Sequence, residues 1–249
     1  MHLNSAELTE CAHTNRWRNR HAVEKLWLAG GLLVLSIALP PYPVAMLVIV
    51  LMVTLTLGWA RVQVGLLARV VVVPLGFACL SAATLLVSVS PASWQCQFSA
   101  DGLATAAQTL LRSSAAVTCL SFLILTTPLT ELLALLRRTG LPVALCEMAL
   151  VMQRFTWLLV ETAQTMWQAQ TARGGWSSAK RARVSFALLV TQLFLRALHR
   201  ARQCEIGLQA RGYEGELRVL ETQRTTTRKA WIMIGTVHAS LLLLGLYAR

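Results

Sequence analysis

Five long apolar segments constrain the fold of this chain more strongly than any other feature. Two of them, residues 26–39 and 43–60, flank the turn Pro40-Pro41 and are predicted to form a helical hairpin. The other three are residues 64–89, 103–125 and 230–248. Only 14% of the 249 residues are charged and 55% are hydrophobic, whereas a soluble domain carries about a quarter charged residues. The sequence therefore predicts an all-α polytopic membrane protein with about five transmembrane helices.

Basic residues are distributed unevenly between the connecting segments. Of the 23 lysines and arginines, four lie within residues 1–25 and fifteen lie between Arg137 and Lys229, while the turn at Pro40 and the loop 90–101 have none. Because basic loops stay in the cytoplasm, we expect a cytoplasmic N-terminus, with residues 1–25 on the membrane surface, and an outward-facing C-terminus. The net charge of +12 then reflects membrane topology, and we predict no nucleic-acid partner.

Three regions follow from these patterns. Residues 1–126 are expected to hold four transmembrane helices, residues 127–229 to be cytoplasmic, and residues 230–249 to form the last transmembrane helix. The cytoplasmic region begins with a short leucine-rich helix that ends at Gly140 and suits the membrane interface. Thr127 is a candidate for its N-cap and Pro128 for its first residue.

Two long helices are predicted to follow, one from Pro142 to about residue 172 and one over about residues 178–211. Both carry apolar residues at alternating steps of three and four, which is typical of helices packed along a seam. On the first helix the seam residues include Met148, Met152, Phe155 and Leu159. On the second they are Ala187, Val190, Phe194, Ala197, Ala201, Cys204 and Leu208. The alanines at positions 197 and 201 would let another helix approach closely.

Each long helix ends with the same tripeptide, Ala172-Arg173-Gly174 in the first and Ala210-Arg211-Gly212 in the second. Glycine at this position supplies the left-handed residue that turns the chain off a helix end. The preceding arginine can then project its guanidinium, which pairs bidentately with carboxylates, and the small alanine leaves room for a partner. Plain capping would explain one such end; two copies favour docking to a partner.

With these residues in view, the chain resembles the transmembrane T component of energy-coupling-factor (ECF) transporters, and most closely the CbiQ-type subunit of the cobalt/nickel branch. The resemblance covers nearly the whole chain. It is carried by Thr126-Thr127-Pro128, Glu131-Leu132-Leu133, Gly140-Leu141-Pro142 and the two Ala-Arg-Gly motifs, the second continuing as Tyr213-Glu214-Gly215.

The resemblance implies a non-catalytic coupling subunit. Two ABC-type ATPases would dock at the Ala-Arg-Gly motifs of crossed coupling helices, with Arg173 and Arg211 in the two docking roles. The transmembrane part would hold a separate substrate-binding S component for cobalt or nickel ions, usually with a small accessory membrane subunit. A location in the cytoplasmic (inner) membrane follows.

The sequence offers no catalytic motif of its own. None of its three lysines follows a glycine, so a phosphate-binding loop is missing, and no HExxH or GxSxG occurs. We expect no cofactor and no metal site, although His2 next to the terminal amine is a minor candidate for metal binding. Arg112 and His238 lie within apolar segments and are candidates for a functional or structural role. A stand-alone permease or channel, or an intramembrane enzyme, remains an alternative.

Overall fold

The computed structural model describes residues 15, 17, 20–89, 96–98, 100–213 and 228–247. The helices are α1 Ala22–Ala38, α2 Pro41–Thr54, α3 Val64–Leu85, α4 Ala100–Thr126, α5 Leu129–Arg138, α6 Val143–Ala172, α7 Ala179–Gln209 and α8 Arg228–Tyr247. A π-helical segment, Leu55–Trp59, continues α2. These described residues are thus all-α apart from one short hairpin, in agreement with the predicted class. His2 and the pair Glu214-Gly215 lie outside the described residues.

Five helical segments of the described chain are long and apolar enough to cross a membrane. They are Pro41–Trp59, Val64–Leu85, Gly102–Thr126, Val143–Ala172 and Arg228–Tyr247. The number agrees with the prediction, but the set differs from the predicted segments. Helix α1 has only 17 residues, while α6, predicted to be cytoplasmic, is long and apolar enough to be included. A multi-pass membrane protein follows from these helices.

The third apolar segment ends earlier than predicted. Helix α3 includes Pro74 and ends at Leu85, and Val87–Val89 then forms strand β1, which pairs antiparallel with β2, Cys96–Phe98. The sequence pattern had placed residues 86–89 in the helix because they continue its apolar run. A β-branched residue at each end of Val87–Val89 instead favours an extended strand.

The described residues belong to two compact units, one made of residues 1–132 and 222–249 and the other of residues 133–221. In the first unit α4 packs against α1, α2 and α3, while α8 packs against α1 and α2. The buried core of this unit includes Leu32 of α1, Met52 of α2 and Phe122 of α4. Such a core holds the apolar helices together as one bundle.

His238 packs inside this bundle. Its Nδ1 lies 2.8 Å from the carbonyl of Ile234 one turn earlier, and its Nε2 lies where a Cβ on Gly31 of α1 would be. A glycine at position 31 therefore lets α8 and α1 come close, which is a structural role for both residues. Arg112, on α4, is exposed.

The last turn of α4 is completed by side chains from the N-terminal part of the chain. Pro128 has no N–H to donate to the preceding turn, so carbonyls at the helix end need other donors. Lys25 Nζ donates to the carbonyl of Thr126 at 2.8 Å, and Asn15 Nδ2 donates to that of Leu125 at 2.9 Å. Lys25 is 0% exposed. The prediction that Lys25 lies on the membrane surface is therefore wrong, because the open carbonyls of α4 bind it inside the protein.

The short helix α5 begins at Leu129, one residue later than predicted. Backbone N–H groups of Glu131 and Leu132 donate to the carbonyl of Pro128. Thr127 was a candidate for the N-cap, but its buried hydroxyl has no hydrogen-bond partner among the described residues. The proline carbonyl thus takes the capping position.

Candidate docking site at two helix ends

The end of α6 is a Schellman motif built around Gly174. This glycine has φ +69°, and its N–H donates to the carbonyl of Thr171 at 3.0 Å. The N–H of Gly175 donates to the carbonyl of Gln170 at 2.8 Å. These are the two hydrogen bonds that define the motif. Arg173, immediately before the left-handed residue, is exposed.

The end of α7 repeats this backbone arrangement. Gly212 has φ +72°, its N–H donates to the carbonyl of Gln209 at 3.0 Å, and the N–H of Tyr213 donates to that of Leu208 at 3.0 Å. Arg211 is exposed, like the alanine before it. The two tripeptides therefore present an arginine from two helix ends with the same hydrogen-bonding pattern.

A third helix end shows what is particular to these two. Gly140 after α5 has φ +98°, and N–H groups of Gly140 and Leu141 donate to the carbonyls of Arg137 and Leu136 at 3.3 and 3.4 Å. The residue before that glycine is Thr139. The left-handed glycine is thus a general solution to ending a helix, whereas the exposed arginine distinguishes the ends of α6 and α7.

The surroundings of the first tripeptide are aromatic. Trp167 of α6 stacks on Trp176 in the turn, with ring centroids 3.8 Å apart and an interplanar angle of 24°. Ser185 of α7 is buried and its hydroxyl donates to the carbonyl of Gly175 at 3.1 Å. Ser178 Oγ accepts the N–H of Arg181 at the start of α7. These contacts fix the turn that carries Arg173.

The second tripeptide is fixed by a polar contact. Tyr213, the residue after Gly212, donates its hydroxyl to Glu147 Oε2 at 3.2 Å. Glu147 belongs to the second turn of α6 and is only 7% exposed. The end of α7 therefore lies beside the beginning of α6.

This contact determines how the two arginines are separated. Helices α6 and α7 are joined by a short turn at one end and by the Tyr213–Glu147 hydrogen bond at the other, so they run antiparallel. Arg173 and Arg211 consequently lie at opposite ends of the helix pair. For α6, with 30 residues, the distance along the axis is about 45 Å at 1.5 Å per residue.

The predicted seam residues differ in exposure. Phe155, Leu159 and Ala197 are half-buried, whereas Met148, Met152, Phe194 and Ala201 are exposed. The less exposed positions of α7 agree with the predicted seam only in part, at Ala197, Cys204 and Leu208. The full set of less exposed positions is Ala182, Ser185, Leu189, Leu193, Ala197, Cys204 and Leu208. The part of the chain that the structure describes thus leaves a large apolar surface of both helices uncovered.

Metal ligands are not gathered into a site in the part of the chain that the structure describes: it contains no group of three His, Cys, Asp or Glu side chains able to hold an ion. The exposed side chains of Arg173 and Arg211 are the candidate residues for contact with a partner protein. Sequence reasoning found these arginines but missed their supports, Trp167, Trp176, Tyr213 and Glu147.

Apolar helices long enough to span a bilayer define an integral membrane protein, and two of its helix ends each expose an arginine. The family profile of CbiQ, described as a cobalt transport protein, matches residues 14–223. The chain therefore belongs to the CbiQ family of cobalt transport proteins, which confirms the resemblance found in the sequence.

Individual relatives agree with this assignment. The chain is 40% identical over 243 residues to the cobalt transport protein CbiQ of Rhodobacter capsulatus, covering 98% of this chain and 99% of the relative. It is 28% identical over 222 residues to the CbiQ protein of Salmonella typhimurium, covering 84% and 97%. A putative fused cobalt transport protein CbiMQ of Methanocorpusculum labreanum is 27% identical over 178 residues, covering 68% of this chain and 30% of the relative.

Proposed function

We propose that this protein is the transmembrane coupling subunit of an ATP-driven importer for cobalt or nickel ions. Two ATPase subunits dock on it, one at Arg173 and one at Arg211, and their motion is transmitted through α6 and α7 to a substrate-binding S component. The observation that supports this proposal best is the pair of helix ends, which expose an arginine each and lie at opposite ends of the antiparallel helices.

Separation of the arginines favours two docking partners over one. A guanidinium binds best to a carboxylate held in a matching groove, and two sites about 45 Å apart along a helix pair suit two copies of the same subunit. ATP hydrolysis takes place in those subunits, since the sequence has no Gly-Lys pair for a phosphate-binding loop. The protein itself is then a non-catalytic component.

The substrate-binding partner is a membrane protein. The Methanocorpusculum labreanum relative is named as a putative fusion of CbiM and CbiQ, which supports a close association of such a partner with this protein. A small accessory membrane subunit completes the complex. The family name favours cobalt over nickel, and the metal ligands belong to the partner.

Placement in the membrane follows the charge pattern. We place the protein in the cytoplasmic (inner) membrane with residues 1–25 and 127–229 on the cytoplasmic side, where these two regions would hold nineteen of its lysines and arginines. Both docking arginines then face the compartment that contains ATP.

The test is charge reversal at each arginine. Arg173→Glu and Arg211→Glu should each weaken retention of the ATPases on affinity-purified complex and lower ATP-dependent metal uptake by more than tenfold, because a carboxylate would repel the acidic partner site. Arg202→Glu, an exposed position inside α7, is the matched control and should leave both measurements unchanged. Normal ATPase retention by the double variant Arg173→Glu/Arg211→Glu would refute the docking sites.

A further inference from the structure

A cavity of about 440 Å³ lies between α6 and α7, away from both docking ends. Its apolar floor comes mainly from α6, and α7 contributes a basic edge. The lining residues are Phe155, Leu158, Leu159 and Thr162 of α6, with Leu195, Arg196, Ala197, His199 and Arg200 of α7. No carboxylate lines the described cavity, so its electrostatic character is cationic.

The two arginines of the cavity have no bonding partner among the described residues. Arg196 and Arg200 are four residues apart and therefore lie on one side of α7. Within the part of the protein that the structure describes, neither guanidinium makes a hydrogen bond or an ion pair, and both side chains are exposed. His199 adds a third nitrogen-bearing side chain to the same edge.

The surface next to this cavity is apolar on both helices. Met152 of α6 and Phe194 of α7 are each 61% exposed. Helix α6 is also long and apolar enough to cross a membrane. A surface that combines exposed apolar side chains with arginines is typical of helices that lie in the membrane interface.

We propose that this cavity binds an anionic phospholipid, with the phosphate group at Arg196 and Arg200 and the upper acyl chain on Phe155, Leu158 and Leu159. Charge complementarity selects an acidic headgroup, and the apolar floor selects a lipid over a free anion. The bound lipid would hold the middle of the helix pair at the membrane surface. This site is separate from the two docking ends and does not depend on the proposed ATPase partners.

Lipid binding to the full-length protein in detergent tests this inference. Native mass spectrometry with added phosphatidylglycerol or phosphatidylcholine should show tighter binding of phosphatidylglycerol by about tenfold or more. The variant Arg196→Gln/Arg200→Gln should bind phosphatidylglycerol about 25-fold more weakly, which corresponds to about 1 kcal/mol for each basic residue. Arg196→Lys/Arg200→Lys keeps both charges and should retain most of the binding.

The matched control is Arg183→Gln/Arg202→Gln, which removes the same charge from α7 outside the cavity and should bind phosphatidylglycerol like the unaltered protein. An equal loss in this control would mean that general surface charge attracts the lipid, and the site would be refuted. Displacement of the lipid by millimolar inorganic phosphate would also refute it, since the apolar floor would then contribute nothing. Loss of ATPase retention by the cavity variant with unchanged lipid binding would assign the surface to a protein partner instead.

Discussion

A hydrogen bond from the Tyr213 hydroxyl to Glu147, at 3.2 Å, joins the end of α7 to the start of α6. Its acceptor is a buried carboxylate, and a hydrogen bond to a charged group contributes more than a neutral one. The position of Tyr213 directly after the left-handed Gly212 makes the bond part of the structure that presents Arg211. We therefore expect loss of this bond to weaken the proposed docking at Arg211 more than the proposed docking at Arg173.

Tyr213→Phe removes this bond and keeps the ring. We expect a loss of about 1–2 kcal/mol in stability and weaker ATPase retention at Arg211. Measuring ATPase retention in single and double variants separates the two ends: Tyr213→Phe should have little further effect in an Arg211→Glu background but a clear effect in an Arg173→Glu background. Tyr42→Phe, at an exposed tyrosine of α2, is the control. Equal effects in both backgrounds would contradict a local role.

Lys25→Met tests the completion of α4. The methionine keeps an unbranched side chain but cannot donate to the carbonyl of Thr126, and the loss of a buried hydrogen bond from a charged group should cost about 1.5–3 kcal/mol. Thermal unfolding of the purified protein measures this. Lys180→Met, at an exposed lysine of α7, should change the unfolding temperature far less; equal shifts would mean that loss of charge alone matters.

At the residue scale, the sequence identified Arg173 and Arg211 because a repeated tripeptide is visible without any tertiary information. Lys25 and Glu147 could not be identified in the same way, since each is bound by a group more than 60 residues away. For Lys25 one signal was present: Pro128 removes a backbone donor just after α4 and so predicts that some other donor completes the helix.

At the scale of the helix, the left-handed glycines decide where α6 and α7 stop. Gly174→Ala and Gly212→Ala force an L side chain into positive φ, at a cost of about 1 kcal/mol. We expect each helix end to rearrange and the adjoining arginine to be redirected, with lower ATPase retention as the measurement. Asn, which tolerates this conformation better, should preserve more retention than Ala at either position.

The control for these variants lies within α7. Gly207 is a helical glycine without positive φ, and an added Cβ there meets no atom within 4 Å. Gly207→Ala should therefore stabilise the protein by about 0.5–1 kcal/mol and leave ATPase retention intact. Reduced retention in this variant would show that substitution anywhere in α7 disturbs docking.

The helices themselves were predictable, but the stripe along which α7 packs was predicted only in part. Apolar side chains occur around much of α7, and Val184, Phe186, Leu188, Val190 and Phe194 are all exposed. The spacing of apolar residues identifies the packed face of a helix only when the other faces are polar. In a protein whose surface meets lipid or partner subunits, both kinds of contact place apolar residues on the helix, and sequence alone does not separate them.

For the whole molecule, the side of the membrane on which each connection lies is the property to test. Thr139 and Ser177 are exposed and flank α6, the helix that is apolar enough to span although we place it in the cytoplasm. In a background with the six native cysteines replaced by serine, Thr139→Cys and Ser177→Cys should react with a membrane-impermeant maleimide only after permeabilisation. Cysteine at position 249 should react in intact cells. Reaction of Ser177→Cys in intact cells would show that α6 crosses the membrane.

The fold class and the number of apolar helices followed from composition, because a bilayer admits few alternatives to helices for a single chain of this hydrophobicity. The antiparallel arrangement of α6 and α7 was not specified by any local pattern. It depends on one short turn and on the contact between residues 147 and 213, and long-range contacts of this kind leave no mark in a single sequence.

The antiparallel arrangement of α6 and α7 also affects when the two proposed ATPases must close relative to each other. Each ATPase would bind one end of the α6–α7 pair, and the two helices are joined to each other at both ends. Neither ATPase could therefore move its own end without straining the junction at the other end. If the two ATPases closed at different times, their forces on the helix pair would oppose each other, whereas simultaneous closure would add the two forces. Such an importer should accordingly lose most of its uptake when only one of its two ATPases can close.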